Sequence, residues 1–197
     1  MKSNLKFFKN KRSLPVDKFL QNVLYDKKFG YYSSKIPFGE KGDFITAPTI
    51  SNLFSEMISI WIISTWEKFG KPEKINIVEL GPGDGSLIKI LLNISKKFPE
   101  FNSAKNIFLY ETSNYLKKIQ RTNIKSDKIK WIKNFQNLGE APVIFFGNEF
   151  FDAIPIKQFK KIQKKIYEKN YFLNNNYKIK ETFKKASKQD LKNIQSF

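Results

Sequence analysis

The chain has 197 residues, enough for one domain with a sizeable core, and a net charge of +18. It contains neither cysteine nor histidine, which excludes disulfides, thiolate or histidine-ligated metal sites, and Ser-His-Asp or Cys-His catalysis. The charge raises the question of a nucleic-acid or acidic-membrane surface. However, lysine is spread along the chain and arginine occurs only at Arg12 and Arg121, so nucleic acid is not the expected partner.

Met1–Ser13 is basic but lacks the apolar core of a secretory signal. Ser13-Leu14-Pro15 predicts a helix start, with Ser13 as cap, followed by Val16, Phe19, Leu20, Val23 and Leu24 at helical spacing and ended by Gly30. Next comes a turn region rich in glycine and proline, Pro37-Phe38-Gly39 and Gly42-Asp43-Phe44-Ile45-Thr46-Ala47-Pro48. Residues 50–69 read as a long helix stopped by Gly70 and Pro72, and Glu56 with several serines leaves its apolar part too short to span a bilayer. The chain reads as soluble.

Ile75–Leu80 is a short apolar run that suits a buried parallel strand. It runs into Gly81, Gly83 and Gly85, and then into an amphipathic helix from Ser86 to Lys97. Pro99 and the polar stretch Asn102–Asn106 predict a loop. Ile107–Glu111 predicts a second strand, Ser113–Thr122 a helix, Ile129–Ile132 a weak third strand and Pro142–Phe146 a fourth. Strands alternating with helices indicate a parallel α/β sheet. After Lys157 lysines crowd together, and Ile162–Leu173 with Tyr177–Phe183 predict a polar hairpin around Asn174-Asn175-Asn176. Lys184–Phe197 then reads as the start of a helix.

Strand, glycine turn, helix is the order in which α/β proteins build ligand sites at the carboxyl edge of a sheet. The turn does not match a dinucleotide Gly-x-Gly-x-x-Gly, because Ser86 holds the last position, and it has no Gly-Lys-Ser/Thr of a phosphate loop. Gly81-x-Gly83-x-Gly85 preceded by Glu79 resembles the first motif of class I S-adenosylmethionine-dependent methyltransferases. That ligand has no pyrophosphate and carries sulfonium and ammonium cations, so acidic residues beside the turn are useful. Glu79 can reach its amino-acid portion. Glu111, at the end of the next strand, can accept hydrogen bonds from both ribose hydroxyls. Two readings stand against these assignments: Glu79 as a strand-end carboxylate satisfied by backbone amides, and the turn as another Rossmann-like site.

Further motifs narrow the resemblance. Gly30-Tyr31-Tyr32, Pro37-Phe38-Gly39, Gly42–Pro48, Val78–Gly83, Glu111-Thr112-Ser113 and Asn148–Ile156 are similar to those of the MidA family of bacterial and mitochondrial class I methyltransferases, in that family's order, from about Leu14 to about Phe159. Thr49 and Asp84 depart from its pattern, standing where an acid and often an arginine are expected.

The resemblance implies an α/β fold: a Rossmann-like class I methyltransferase sheet with a helical N-terminal extension, incomplete at the carboxyl end. The expected division is an extension over 1–73, a cofactor-binding core over 74–156 and a lysine-rich hairpin region over 157–197. The implied function is S-adenosyl-L-methionine-dependent methylation of protein arginine, without a metal, on a protein substrate such as a respiratory complex I subunit. The implied location is the bacterial cytoplasm or, in a eukaryote, the mitochondrial matrix.

Glu149 and Asp152, just past the fourth strand, become candidates to hold a guanidinium, with helix or turn capping as the alternative for Asp152. Asn148 lines the cofactor pocket in this reading, Asp43 and Thr46 fold over it unless they only shape their loop, and Asn134 is a weak candidate for the adenine side. Phe38, Phe44, Phe150 and Phe151 are expected in the core. Two other function classes remain: a non-catalytic assembly or scaffold protein or inactive fragment, and an RNA-binding protein or RNA methyltransferase.

Overall fold

The computed structural model describes residues 4–34 and 51–195. Asp43, Thr46, Phe38 and Phe44 lie outside the described residues. Contacts divide the chain into two compact units, one within Met1–Ser34 and Ala153–Phe197, the other within Lys35–Asp152.

The first unit opens with α1 (Leu5–Phe8), β1 (Ser13–Pro15), α2 (Val16–Tyr25) and α3 (Tyr31–Ser34). The helix expected from Ser13 begins at Val16 instead, with Pro15 as its N-cap and no side-chain cap. Proline holds the residue before it, Leu14, out of the helical region, and pairing keeps Ser13 extended with it. Their backbone pairs with a strand far along the chain, Ser13 opposite Phe172 and Leu14 opposite Tyr171. Gly30 does not end α2 either. The chain leaves the helix at Asp26, whose Oδ1 accepts from the amides of Lys28 (2.9 Å) and Phe29 (3.2 Å). Gly30 closes onto that turn so tightly that a Cβ there would lie 2.4 Å from the Asp26 nitrogen.

The second unit contains α4 (Asn52–Lys68), β2 (Ile75–Leu80), α5 (Ser86–Ser95), α6 (Pro99–Ala104), β3 (Lys105–Tyr110), α7 (Asn114–Ile124), β4 (Ile129–Ile132) and β5 (Val143–Phe146). The Ser51 hydroxyl caps α4 by accepting from the Leu53 amide at 3.1 Å. The four strands form an all-parallel sheet in the order β4-β3-β2-β5. Alternation puts Ile75, Ile77, Ile107, Leu109, Ile129 and Ile144 on one face, where they pack against Ile62, Ile63 and Trp66 of α4, Ile88 and Leu91 of α5, and Ile124 of α7. Thus α4 shares the core of the sheet, across the residue-73 boundary drawn from the sequence.

On the other face Asn76 is buried. Its amide donates to the Leu138 carbonyl at 2.6 Å and its Oδ1 accepts from Asn106 at 3.1 Å, which anchors the connection from β4 to β5. The chain runs outward from β2 through β3 to β4 and returns to the far side of β2. The carboxyl end of β2 is therefore the topological switch point, where α/β sheets place ligands.

The loop expected at Pro99–Asn106 is a turn of helix followed by strand. Pro99 sits in the first turn of α6, where its missing N–H costs nothing. Phe101 and Ala104 on one side of that turn are buried, and the Phe101 ring meets Trp66 at 5.5 Å.

The first unit resumes with β6 (Phe159–Ile162), β7 (Lys165–Leu173), β8 (Ile179–Lys185) and α8 (Lys188–Gln195). The hairpin around Asn174 forms as expected, with Asn174 Oδ1 accepting from the amides of Asn176 (3.0 Å) and Lys178 (2.9 Å). It belongs to a larger four-stranded antiparallel sheet, because β7 also pairs with β6 and β1. Lys184 and Lys185 lie in β8 rather than in the final helix. Phe8, Leu14 and Phe19 form this unit's core, with Phe19 against Tyr171 at 4.9 Å. The Lys157 ammonium ties α8 to β7 through Asp190 (2.7 Å) and Glu168 (3.1 Å). No helix among the described residues is long and apolar enough to cross a membrane.

Ile77 is fully buried at the centre of the parallel sheet. Ile77→Ala is expected to lower unfolding free energy by about 2–5 kcal/mol, measured by urea titration, through lost burial and a residual cavity.

Candidate functional site

The turn leaving β2 requires a left-handed backbone at three alternate positions, with φ of 63° at Gly81, 56° at Gly83 and 86° at Gly85. The Gly81 amide donates to the Tyr110 carbonyl at 3.0 Å, which ties the turn to the end of β3. At Gly81 an added Cβ would stand 2.9 Å from the Phe150 ring, and at Gly85 one would stand 2.7 Å from Ile124 Cδ1. Two of the three glycines are thus needed for packing beneath and beside the turn as well as for its backbone. Asp84 Oδ1 accepts from the Ser86 amide (3.0 Å) and hydroxyl (2.5 Å), fixing the start of α5.

Two carboxylates flank the turn. Glu79, near the end of β2, is 3% exposed, and its Oε2 is buried with no hydrogen-bond partner. Burial, helped by the nearby Asp84 carboxylate, pushes its carboxyl up to about 8. The alternative of a carboxylate satisfied by backbone amides therefore does not describe this oxygen.

Glu111 follows β3 and is also buried. Its Oε1 accepts from the Ser113 amide at 2.7 Å and its Oε2 from the Gln120 amide at 3.4 Å. Burial raises its carboxyl, opposed by hydrogen bonds from Ser113, Thr112 and Gln120 and by the Lys117 ammonium. Lys117, itself buried, is lowered by desolvation and by Lys133.

Past β5 the chain turns back toward the glycines. A Cβ on Gly147 would lie 2.8 Å from the Leu80 carbonyl, so a glycine lets this turn close on β2. Asn148 is half-buried. Glu149 is exposed with φ 53°, a backbone that non-glycine residues seldom adopt. Phe150 packs over Gly81 and meets Tyr110 at 6.1 Å. Asp152 is exposed in the 3-10 turn Phe151–Ala153, and among the described residues neither its carboxylate nor that of Glu149 has a hydrogen-bond or ion-pair partner. Phe151, expected in the core, is 77% exposed, because the 3-10 turn carries it away from the sheet. Asn134 lies exposed after β4, where its Oδ1 accepts from the Gln136 amide at 3.3 Å and opens the connection to β5.

Sequence reasoning missed Gln120, whose side chain is fully buried between the turn, Glu111 and Trp131. The signal was available: Leu116, Gln120 and Ile124 share the buried face of α7 at four-residue spacing, so a polar residue stands at a core position. Asn123 also donates to the Asp84 carbonyl at 3.0 Å, a second tie from α7 to the turn.

Residues 57–196 match the family described as "Putative S-adenosyl-L-methionine-dependent methyltransferase". The chain belongs to this family. It is the MidA-type family that the sequence motifs resemble. Among curated relatives, the mitochondrial protein arginine methyltransferase NDUFAF7 of Xenopus laevis is 32% identical over 182 residues, covering 79% of this chain and 42% of its own length. The NDUFAF7 homolog of Drosophila melanogaster is 30% identical over 177 residues, covering 79% of this chain and 40% of its own. The chain therefore spans about two-fifths of the length of these family members. A Burkholderia thailandensis COG1565 superfamily structure bound to S-adenosyl-homocysteine shares the fold, with TM-score 0.77 and 20% identity over 98% of this chain and 51% of that one.

The buried carboxyl of Glu79 has a consequence for stability. The folded chain keeps a proton there that the unfolded chain releases above its ordinary value of 4.5. This contribution to stability is fully present below that value and is lost as pH rises through about 8, with a slope of up to about 1.4 kcal/mol per pH unit. Glu111 adds to the same trend at its lower end. Lys105, lowered to about 8 by burial and by Lys128, acts only above that pH and with the opposite sign. No histidine titrates in between. Stability of the ligand-free chain is thus expected to fall as pH rises from about 4.5 to about 8, and Glu79→Gln to flatten that fall, measured by thermal melts across pH.

Proposed function

We propose that this chain binds S-adenosyl-L-methionine at the Gly81–Gly85 turn and carries the cofactor side of a protein arginine methyltransferase. The observation that carries this reading is the unpartnered, buried carboxylate of Glu79 beside a positive-φ glycine turn, with a second carboxylate, Glu111, following the adjacent strand. A pyrophosphate at this turn would oppose ionisation of the buried Glu79 carboxyl still further, whereas a cation would favour it. A ligand with a cationic amino-acid end and a ribose diol suits both groups.

In this reading Glu79 meets the ammonium end and Glu111 accepts from the ribose hydroxyls. The turn has no side chain at its three glycines, which lets the ligand approach the backbone where Phe150 and Ile124 do not already pack, and Asn148 lines the pocket through its amide. The bound cofactor supplies an electrophilic methyl group on a sulfonium. Glu149 and Asp152 hold the acceptor guanidinium by paired charge-assisted hydrogen bonds and orient its nitrogen. Their exposure and lack of partners among the described residues support that role. The names of the relatives support a protein substrate, and on the family resemblance we extend this to a respiratory complex I subunit. The relatives are mitochondrial by name, which supports a matrix location if the source is eukaryotic, with the cytoplasm as the bacterial counterpart.

Calorimetric titration of the 197-residue chain with S-adenosylhomocysteine tests the binding claim. One site is expected, weakened about 10- to 100-fold by Glu111→Ala through loss of hydrogen bonds to a charged group. Glu149→Gln is expected to leave this binding within about twofold while lowering transfer of labelled methyl to an arginine peptide at least tenfold, on the scale of a lost charge-assisted bond. Absence of binding heat in the unmodified chain, or equal binding by Glu111→Ala, would overturn the assignment.

A further inference from the structure

Resting on the cofactor reading above, we infer that Gln120 is a positioning residue that sets Glu111 and the glycine turn at the spacing needed to grip the ribose. It is fully buried, and both its nitrogen and its oxygen are engaged. Its Nε2 donates to the Gly83 carbonyl at 2.9 Å and to Glu111 Oε2 at 3.4 Å, and its Oε1 accepts from the Trp131 indole at 2.8 Å.

The amide orientation is fixed by chemistry. Turned over, it would set its oxygen against a carbonyl and a carboxylate, and its NH2 against an indole donor. The indole is in turn held by the Arg121 guanidinium, 4.8 Å from its ring. One side chain on α7 thus joins the turn after β2, the residue after β3 and a residue of β4.

Glu111 depends on this join. Its Oε1 is engaged by the Ser113 amide at 2.7 Å, whereas Oε2 accepts the long bond from Gln120. A bond of 3.4 Å steers the carboxylate while leaving Oε2 lone-pair capacity for a ligand hydroxyl. Because the same amide holds Gly83, the ribose carboxylate and the turn cannot shift independently. Gln120 touches no ligand in this account. It acts through Glu111.

A merely structural glutamine would, when lost, weaken every ligand alike. A positioning glutamine is needed most for the ribose hydroxyls. The test compares the affinity of the full chain for S-adenosylhomocysteine with that for its 2′-deoxyribose analogue. In the unmodified chain the natural ligand is expected to bind about tenfold more tightly, as for a hydrogen bond to a charged group. In Gln120→Met that ratio is expected to fall to about twofold or less. Gln120→Glu, the same size but unable when ionised to donate to Gly83 or Glu111, is expected to do the same and serves if the Met variant does not fold. Trp131→Phe, which removes only the indole donor, is expected to give an intermediate ratio.

A ratio unchanged in folded Gln120 variants, with both ligands weakened equally, would overturn the positioning role while leaving the cofactor reading intact. Failure of the unmodified chain to bind either ligand, or to distinguish them, would overturn the cofactor role of Glu111 and the inference with it.

Discussion

A carboxylate without a partner, buried beside the turn that leaves a central strand, is the constraint on which the site depends. Desolvating a carboxyl is costly unless it is neutralised or paired, and Glu79 is neutralised, with its carboxyl pushed up to about 8. The isoleucines of β2 and the helices over them take the strand, and Glu79 with it, out of water. The glycines add no side chain of their own beside it, although the Phe150 ring and Ile124 pack into the room left at Gly81 and Gly85. Apolar burial of the sheet is therefore what turns an ordinary acid into a group with unspent capacity for a cation.

The same arrangement reconciles a site for a cationic ligand with a chain of net charge +18. Lysines on solvated faces act through water and salt and fade beyond about 8–10 Å at physiological ionic strength. Glu79 acts at contact: a ligand cation beside it favours the ionised form that burial suppresses, in a dry setting where charge interactions are much stronger. The lysines nearest the site modulate it without filling it. Lys117 lies close enough to Glu111 to favour its ionised form, yet desolvation and Lys133 lower its own affinity for a proton.

Much of the parallel unit was legible in the sequence, because its signals are local. The apolar run Ile75–Leu80, the spacing of Gly81, Gly83 and Gly85, and the helical stretch from Ser113 each report on neighbours within a turn or two. What was misread depends on distant partners. Ser13 carries the side chain of a helix cap, but Pro15 held Leu14 extended and β7 paired with Ser13 from some 160 residues away. The strand β6, Phe-Lys-Lys-Ile, is short and shows no alternation of its own, so only β7 reveals it. Phe151 has the character of a core residue, but a 3-10 turn carries it outward. Gln120 lay hidden for a related reason. A polar residue on the buried face of a helix names no partner, and its three partners come from three other segments.

A crystal structure of the chain with S-adenosylhomocysteine would show whether Glu111 and Glu79 hold the ligand. The ribose hydroxyls are expected at hydrogen-bond distance from the Glu111 carboxylate, with the amino-acid end directed toward Glu79 across the Gly81–Gly85 turn. A ligand bound elsewhere, or lying over the turn without contact to Glu111, would contradict that arrangement.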